Sequence, residues 1–437
     1  MKKILVFGAG KSATSLIDYL CTVCEQYDWR LILCDANLAL AQSKIAGCKN
    51  AEAISIDVPE AITRKSLIQE ADLVISMLPP HLHFLVANDC LDFSKHLLTA
   101  SYIDEKIKGL AKQIEQKGLL FLGEMGLDPG IDHMSAMKII NQIKNEGGKI
   151  SSFKSHCGGL VSPGSDDNPW HYKITWNPAN IVMAGSSGAI YRSNGSTVEI
   201  PYTKVFGDCN EVDIPGLFPL AWYPNRDSLS YIDTYGLHEI GTFIRTTLRY
   251  PSFCRGWNRI VNMGLTDLND DAEIKGYKTY RDWYLQKNKA IDILFNSSAE
   301  EEEYSAQINY LGLQSDVPVD TQIKSSALLL QKILEKKLAM LPHDKDMIVM
   351  LHEIGYEING QSKEVKSSLV VMGEDQRKTA MAKTVGLPLG IAAKLILQNK
   401  IKVTGLHIPV LPEIYNPVLN ELEALGIKFH EEIISLG

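Results

Sequence analysis

The sequence lacks an excess of positive charge. Its 437 residues include 44 Lys and Arg against 52 Asp and Glu, which gives a formal net charge of −8 at pH 7. Nucleic acids and acidic membranes are bound mainly through clustered cations, so this balance argues against either as the main partner. A local basic pocket for a small anion stays compatible with it.

The sequence also lacks a long apolar run. No apolar stretch approaches the ~18 residues that a transmembrane helix needs, so no membrane span is expected. Lys2 and Lys3, followed by apolar residues 4–7, could open a signal peptide, but the apolar run is too short and ends in a glycine turn. We therefore expect a cytoplasmic protein without a membrane partner.

Metal-ligand spacing is a third absence. The 11 histidines are dispersed, without His-x-x-x-His or paired-cysteine spacing. The 8 cysteines are scattered, and the Cys-x-x-Cys pair formed by Cys21 and Cys24 falls inside a helical apolar pattern. We expect this pair to pack in the core as reduced thiols, and we expect no metal site.

The first part of the chain has a clear strand and helix alternation. The length predicts two or three domains. Within residues 1–125, apolar runs alternate with helical patterns, which is typical of a Rossmann-type, doubly wound parallel sheet in the α/β class. The runs suited to buried parallel strands are 4–7, 31–34, 53–56, 73–78, 97–100 and 119–122.

The pattern changes after residue 125. Asp132 is a candidate N-cap for a helix to about Asn145. Residues 126–272 and 341–399 combine strand and helix patterns, whereas residues 273–340 are mainly helical. The remaining segment, 400–437, contains one more short helical pattern.

A glycine turn follows the first predicted strand. Gly8 permits a tight turn, Gly10 lets a backbone approach a pyrophosphate, and Ala13 allows close helix–strand packing. Lys11 and Ser12 complete the turn at the helix N-terminus, where free N–H groups favour anions. A phosphate-binding P-loop would need glycine at position 5, where Leu5 stands, so we predict a dinucleotide site instead.

Two aspartates end the second and third predicted strands. Asp35 is placed to accept hydrogen bonds from the adenosine ribose and to repel the 2′-phosphate of NADP. NAD is therefore the expected cofactor, with NADP as the alternative. Asp57 would lie near the adenine by the same geometry, although a turn aspartate at the surface explains it equally well.

Ligands of such sheets bind beyond the carboxyl ends of the strands. Three segments stand at predicted strand ends and bring hydroxyls and a carboxylate toward the expected nicotinamide position. They are 78–80 with Leu78, 99–102 with Thr99, Ser101 and Tyr102, and 123–128 with Leu127 and Asp128.

Several longer strings of the sequence resemble the glutamate-forming saccharopine dehydrogenase and reductase family, in order along nearly the whole chain. The strings are 99–103, 126–133, 157–160, 167–169, 172–173, Trp176, 223–228, 244–245 and 247–250. The resemblance implies interconversion of saccharopine with glutamate and 2-aminoadipate 6-semialdehyde, through an imine and a hydride transfer. It also implies a Rossmann domain at 1–125 onto which the tail 400–437 returns, a mixed α/β domain for substrate binding and homodimerisation, and a helical lid at 273–340.

The resemblance also assigns residues to the two ligands. The implied substrate contacts are Ser101, Tyr102, Asp128, Arg226, Arg245, Thr246 and Thr247. The implied cofactor contacts are Gly8, Gly10, Lys11, Ser12, Asp35, Asp57, Leu78, Thr99, Leu127 and Trp176.

The chemistry of the substrate supports these assignments. Saccharopine carries three carboxylates, and arginine forks such as Arg226 and Arg245 bind carboxylates bidentately. Imine formation needs proton transfers, for which Tyr102, Asp128, His133 and Cys157 are candidates. His133 is at least as well explained as a packed helix residue.

Three alternatives stay open. The same chemistry could serve NADPH-linked biosynthesis instead of NAD-linked lysine breakdown, or a different amine, as in carboxynorspermidine-type dehydrogenases. A non-catalytic dinucleotide sensor is the alternative from another class, and the presence of Ser101, Tyr102 and Asp128 argues against it.

Overall fold

The computed structural model describes residues 1–289, 295 and 297–436. The chain forms two compact units, each described by itself. We call Met1–Gly147 with Arg377–Phe429 the N-terminal unit, and Gly148–Gln376 with His430–Gly437 the central unit.

The first 147 residues alternate strands with helices. The strands are β1 (Lys3–Phe7), β2 (Arg30–Asp35), β3 (Ala51–Ser55), β4 (Leu73–Ser76), β5 (His96–Thr99) and β6 (Leu120–Leu122). The helices are α1 (Thr14–Tyr27), α2 (Leu38–Lys44), α3 (Ala61–Glu70), α4 (Pro80–Asp92), α5 (Glu105–Lys108), α6 (Ala111–Gln116) and α7 (Ile131–Asn145).

The central unit follows with longer strands and a group of helices. Its strands are β7 (Lys149–Val161), β8 (Ala189–Ser193), β9 (Ser196–Ile200), β10 (Asn210–Val212), β11 (Leu220–Pro224), β12 (Arg226–Asp227), β13 (Thr242–Arg249), β14 (Asp346–Ile358) and β15 (Gln361–Met372). Its helices are α8 (Ala179–Val182), α9 (Ser230–Thr234), α10 (Pro251–Asn262), α11 (Asp271–Ile274), α12 (Tyr280–Asn288), α13 (Ser298–Leu311) and α14 (Ser326–Lys337). The chain ends with α15 (Ala380–Leu397), β16 (Gly405–His407), α16 (Pro412–Ala424) and β17 (His430–Leu436).

The N-terminal unit contains a seven-stranded sheet in the order β16-β6-β5-β4-β1-β2-β3. Every pair in it is parallel. The order 3-2-1-4-5-6 is that of a Rossmann fold, so the expected fold class is confirmed. The order reverses between β1 and β4, and the carboxyl ends of these strands define the crevice where a ligand is expected.

The helix α15 corrects two expectations. Residues 377–399 were placed in the mixed domain, but α15 packs on α1, where a Cβ at Gly386 would lie 2.7 Å from the backbone nitrogen of Leu16. Glycine at 386 and 390 thus permits the close approach of the two helices. The expectation that no apolar stretch reaches the length of a membrane span was also wrong, because α15 has 18 residues with a mean hydropathy of 1.5, although 83% of this span is buried.

The central unit contains a ten-stranded mixed sheet. Its main path is β10-β11-β13-β7-β14-β15-β17, in which β13 and β7 are parallel and the other neighbours antiparallel. The tail was expected to return to the Rossmann domain. Residues 405–407 do so by pairing with β6, but β17 pairs with β15 and extends the central sheet instead.

The predicted helical segment at 273–340 contributes α11 to α14, and its residues 290–294 and 296 lie outside the described part. Trp283, Ile308 and Leu330 share one buried cluster with Trp170 and Trp257. These helices therefore belong to the core of the central unit. A lid movement of the segment stays a prediction.

The cysteine expectation was wrong for Cys21. Cys21 on α1 forms a disulfide with Cys48, with Cα atoms 5.5 Å apart. Cys24 is a buried free thiol whose pKa burial raises to about 12. Cys48, the partner of Cys21, lies in the segment between α2 and β3.

Candidate active site

The glycine turn lies at the carboxyl end of β1. Gly8 has φ +102°, and a Cβ there would lie 2.7 Å from the Met77 carbonyl oxygen, so the fold itself requires glycine. Gly10 differs, because it has φ −60° and a Cβ there would meet no described atom within 4 Å. The open space above Gly10 is where a pyrophosphate would approach. Ala13 is buried at the start of α1, as close helix–strand packing requires.

Asp35 ends β2 beside this turn. Its carboxylate accepts hydrogen bonds from the backbone N–H groups of Ala9 and Asn37, both at 2.8 Å. These two bonds fix the carboxylate and leave further lone pairs on each oxygen. The group is half-buried and suited to accepting hydroxyl protons.

Cations also lie near the start of α1. Lys11 is exposed and Ser12 is half-buried. The Lys44 ammonium donates to the Thr14 hydroxyl, and burial together with the nearby charge of Arg377 lowers the pKa of Lys44. Positive charge here would favour an additional phosphate, in opposition to Asp35.

The remaining predicted cofactor residues of this unit lie at neighbouring strand ends. Asp57 is exposed after β3, and Leu78 is half-buried after β4. Thr99 is buried at the end of β5, where its hydroxyl accepts from the Ser101 N–H at 3.2 Å.

The structure brings the segments 99–102 and 124–128 together. The Glu124 N–H donates to the Ser101 carbonyl, and the Met125 N–H to the Thr99 carbonyl, both at 3.0 Å. Ser101, Tyr102 and Asp128 are all half-buried and therefore reachable from the crevice. Leu127 is buried, and the Asp128-Pro129 bond is cis.

Sequence reasoning missed a buried histidine behind Ser101. The Ser76 hydroxyl lies 2.8 Å from His83 Nδ1, and His83 Nε2 lies 2.8 Å from Ser101 Oγ. Ser76 and His83 are 1% and 3% exposed. The available signal was position, since Ser76 ends β4 and His83 lies on the first turn of α4.

His133 does not fit its predicted role as a proton donor. It is completely buried, with Nε2 2.9 Å from Glu124 Oε2 and Nδ1 3.7 Å from Asp132 Oδ2. Glu124 adopts the positive φ of 55°, which is uncommon for a residue with a side chain. Asp132 is not the N-cap but lies in the first turn of α7, and its carboxylate accepts from the Gly130 N–H at 2.6 Å. His133 thus has the position of a residue that organises this turn.

Two predicted substrate residues approach each other in the central unit. The Asn225 N–H donates to the Arg245 carbonyl at 2.9 Å, which places Arg226 beside the β13 backbone. Arg226 is exposed with φ +51°, whereas Arg245 is buried and its guanidinium lies 4.4 Å from the ring centre of Tyr231.

Thr246 and Thr247 face opposite sides of β13. Thr246 is completely buried, and its hydroxyl lies 2.7 Å from His156 Nδ1. A substrate contact through this side chain is not compatible with that position, so the prediction for Thr246 is corrected. Thr247 is half-buried and shares the face of Arg245, as the two-residue period of a strand requires.

Arg249, on the same face, was missed. It is 7% exposed, donates to the Leu248 carbonyl at 2.7 Å, and lies over the rings of Tyr172 and Phe253. Its Nε is buried without a hydrogen-bond partner among the described residues. A buried guanidinium of this kind is a strong binder of anions.

Trp176 is half-buried in the central unit, after the bridge between Ile174 and Ala339. Its predicted cofactor contact stays a prediction. Across the described ranges, no group of three or more His, Cys, Asp or Glu residues could hold a metal ion.

Comparisons with known proteins agree with this architecture. The family model described as saccharopine dehydrogenase C-terminal domain matches residues 126–427, and the saccharopine dehydrogenase NADP binding domain matches residues 4–122. The saccharopine dehydrogenase [NADP(+), L-glutamate-forming] of Saccharomyces cerevisiae is 31% identical over 451 residues, which cover 99% of this chain and 100% of that protein. The solved apo structure of a saccharopine dehydrogenase (L-Glu forming) from the same yeast matches with a TM-score of 0.90 and 30% identity, over 99% of this chain and 100% of that one.

Other relatives are longer. The alpha-aminoadipic semialdehyde synthase of Arabidopsis thaliana is 34% identical over 475 residues, which cover 98% of this chain but 44% of that protein. The chain thus spans about half the length of the first curated relatives it matches. Two family models that together match almost the whole chain, and a relative of equal length, identify the chain as a member of the saccharopine dehydrogenase family.

Proposed function

We propose that the chain is an oxidoreductase that converts saccharopine, an oxidised dinucleotide and water into glutamate, 2-aminoadipate 6-semialdehyde, the reduced dinucleotide and a proton. The observation that carries this proposal is the side-chain group Ser101, Tyr102 and Asp128, which follows strand ends of the same parallel sheet that carries the glycine turn. The names of the yeast and plant relatives support the same products.

The chain's own residues bind, orient and move protons. When bound, the nicotinamide supplies the hydride acceptor, so the protein needs no strong nucleophile. Asp128 holds the secondary amine and takes its proton as the carbon–nitrogen bond is oxidised to an imine. Tyr102 serves the proton transfers of imine hydrolysis.

The central unit contains arginines of the kind that bind carboxylates, and saccharopine carries three carboxylates. Arg245 and Arg249 are buried guanidiniums, and Arg226 is an exposed one. A polyamine substrate of the carboxynorspermidine type presents fewer carboxylates, so these arginines favour saccharopine over it.

We infer that NAD is the preferred cofactor. Asp35, fixed by two backbone N–H groups, is ready to accept from ribose hydroxyls and would repel a 2′-phosphate. With NAD the enzyme would work in lysine degradation. A cytoplasmic location and a homodimer are further parts of the proposal.

A second candidate is an NADPH-linked enzyme of lysine biosynthesis. Lys44 and Arg377 near the start of α1, together with the NADP named for the matching domain and the yeast relative, favour it. The value of kcat/KM with NAD and NADP decides between the two. If NAD is preferred, Asp35→Asn should lower the ratio of kcat/KM with NAD to kcat/KM with NADP by at least about tenfold. This corresponds to a repulsion of the 2′-phosphate by Asp35 of at least about 1.4 kcal/mol.

The central experiment is the production of reduced dinucleotide from saccharopine. Asp128→Asn should lower kcat by about 100-fold or more, as expected for loss of a proton acceptor. Asp92→Asn, an exposed change at the end of α4, is the matched control and should leave kcat unchanged. Dinucleotide binding without turnover of saccharopine would favour the sensor alternative.

A further inference from the structure

The three side chains of Ser76, His83 and Ser101 form a hydrogen-bonded row behind the proposed substrate site. This row has no role in the mechanism above. His83 is 3% exposed, and each of its ring nitrogens lies 2.8 Å from a serine hydroxyl. Ser76 is 1% exposed, whereas Ser101 is half-buried at the crevice. The hydrogen-bonded row thus connects the buried Ser76 hydroxyl with the Ser101 hydroxyl, which a ligand can reach.

The charge state of His83 fixes how many protons it can donate. Burial outweighs the opposing effect of Asp104 and lowers the pKa of His83 to about 4. A neutral imidazole has one N–H donor and one nitrogen acceptor. One serine hydroxyl must therefore donate to the ring, and the other must accept from it.

The surroundings of the Ser76 hydroxyl determine which serine donates a hydrogen bond to the His83 ring and which accepts one from it. Within the described residues, the Ser76 hydroxyl has His83 as its hydrogen-bond partner, so a proton turned away from His83 would be buried without an acceptor. Leaving a buried donor unsatisfied is costly. Ser76 therefore donates to Nδ1, and the ring carries its proton on Nε2.

The position of the proton on the His83 ring determines the orientation of the Ser101 hydroxyl. If Nε2–H donates to Ser101 Oγ, the Ser101 proton points away from His83 and is available to a ligand at the crevice. We propose that His83 is a positioning residue that holds Ser101 as a hydrogen-bond donor toward an acceptor group of the substrate. That this acceptor is a carboxylate oxygen of saccharopine rests on the proposed function.

The tautomer can be measured without turnover. Long-range proton–nitrogen NMR of protein labelled with ¹⁵N-histidine distinguishes an Nε2–H from an Nδ1–H imidazole, and the resonance lost in His83→Gln identifies His83. We expect the Nε2–H tautomer at pH 7. An Nδ1–H tautomer or a charged imidazole would overturn the proposal, whatever the substrate of the enzyme proves to be.

Kinetics then test the role. His83→Gln keeps an amide N–H donor near the position of Nε2, whereas His83→Leu removes it. We expect His83→Leu to raise the KM for saccharopine about tenfold, the effect of one hydrogen bond to a charged group, with the KM for the dinucleotide unchanged. His83→Gln should restore most of the lost affinity.

A double-mutant cycle separates positioning from folding. In a Ser101→Ala background, His83→Leu should have no further effect on the KM for saccharopine, because its route of action is gone. His96→Leu, at the opposite end of β5, is the matched control and should leave that KM unchanged. Additive effects of His83→Leu and Ser101→Ala, or a KM that moves equally for dinucleotide and saccharopine, would refute the role. No turnover of saccharopine in the wild type, with the Nε2–H tautomer present, would contradict the proposed function alone.

Discussion

Two glycines in one turn should respond to alanine in opposite ways. At Gly8 the backbone has φ +102°, and an added Cβ would lie 2.7 Å from the Met77 carbonyl oxygen. At Gly10 φ is −60° and an added Cβ meets no described atom within 4 Å. The fold requires the first glycine, whereas the second leaves open space where a bound pyrophosphate would approach.

The expected magnitudes follow from this geometry. Gly8→Ala should destabilise the protein by at least about 2 kcal/mol, because it combines an unfavourable φ with a backbone clash. Gly10→Ala adopts its native φ without strain and should stabilise the ligand-free protein by about 0.4–1 kcal/mol, since alanine has less entropy to lose on folding. Gly10→Ala should nevertheless raise the Kd for the dinucleotide at least about tenfold, because the Cβ occupies the approach of the pyrophosphate.

Urea unfolding of the ligand-free variants and calorimetric titration with NAD and NADP provide the measurements. Gly164→Ala is the control, because its Cβ also meets no described atom within 4 Å and Gly164 lies in the central unit. It should leave Kd unchanged. The reasoning fails if Gly10→Ala binds both dinucleotides like the wild type, or if Gly8→Ala is as stable as Gly10→Ala.

Two further predictions concern stability. Cys48→Ser should cost about 3–4 kcal/mol of unfolding free energy under oxidising conditions, since the Cys21–Cys48 bond spans 27 positions, and nothing in the presence of dithiothreitol; equal urea midpoints with and without reductant would show that no disulfide forms. Burial would raise the pKa of Glu353, but the hydrogen bond with His156 and nearby lysines outweigh it and hold the pKa at about 2, below the ordinary 4.5. Glu353→Gln should therefore lower the free energy of unfolding by up to about 3 kcal/mol at pH 7. The difference between the two proteins should shrink as the pH falls from 4.5 toward 2, because the wild type then loses the stability of the ionised carboxylate. A difference in urea unfolding that does not depend on pH would contradict this.

The N-terminal sheet could be predicted because its strands are buried on both faces. Such strands appear as short apolar runs, and each predicted run overlaps one of β1 to β6. The helix α15 was assigned to the wrong unit because the apolar pattern of a helix does not indicate which sheet the helix packs against. The spacing of Gly386 and Gly390 was the available sign of close packing against another helix.

The central sheet was harder to predict, although one signal was present. β14 and β15 form a long hairpin around Asn359 and Gly360, which have φ of +53° and +74°. Asn-Gly between two alternating patterns is a strong indication of a tight hairpin turn.

The site residues show which part of a ligand site a sequence can specify. The strand-end rule selected Ser101 and Asp128, which the structure places half-buried after β5 and β6, because the rule depends only on where strands stop. It could not show that His133 is buried, since that depends on how the turn 124–130 leads into α7. The run 245–247 was a different case, because a strand of period two cannot direct three consecutive side chains to one ligand. Recognising β13 as a strand would have removed Thr246 and drawn attention to Arg249, which shares the face of Arg245 and Thr247. For a substrate with several carboxylates, the alternation along β13 is therefore a better guide to the binding residues than their adjacency in the chain.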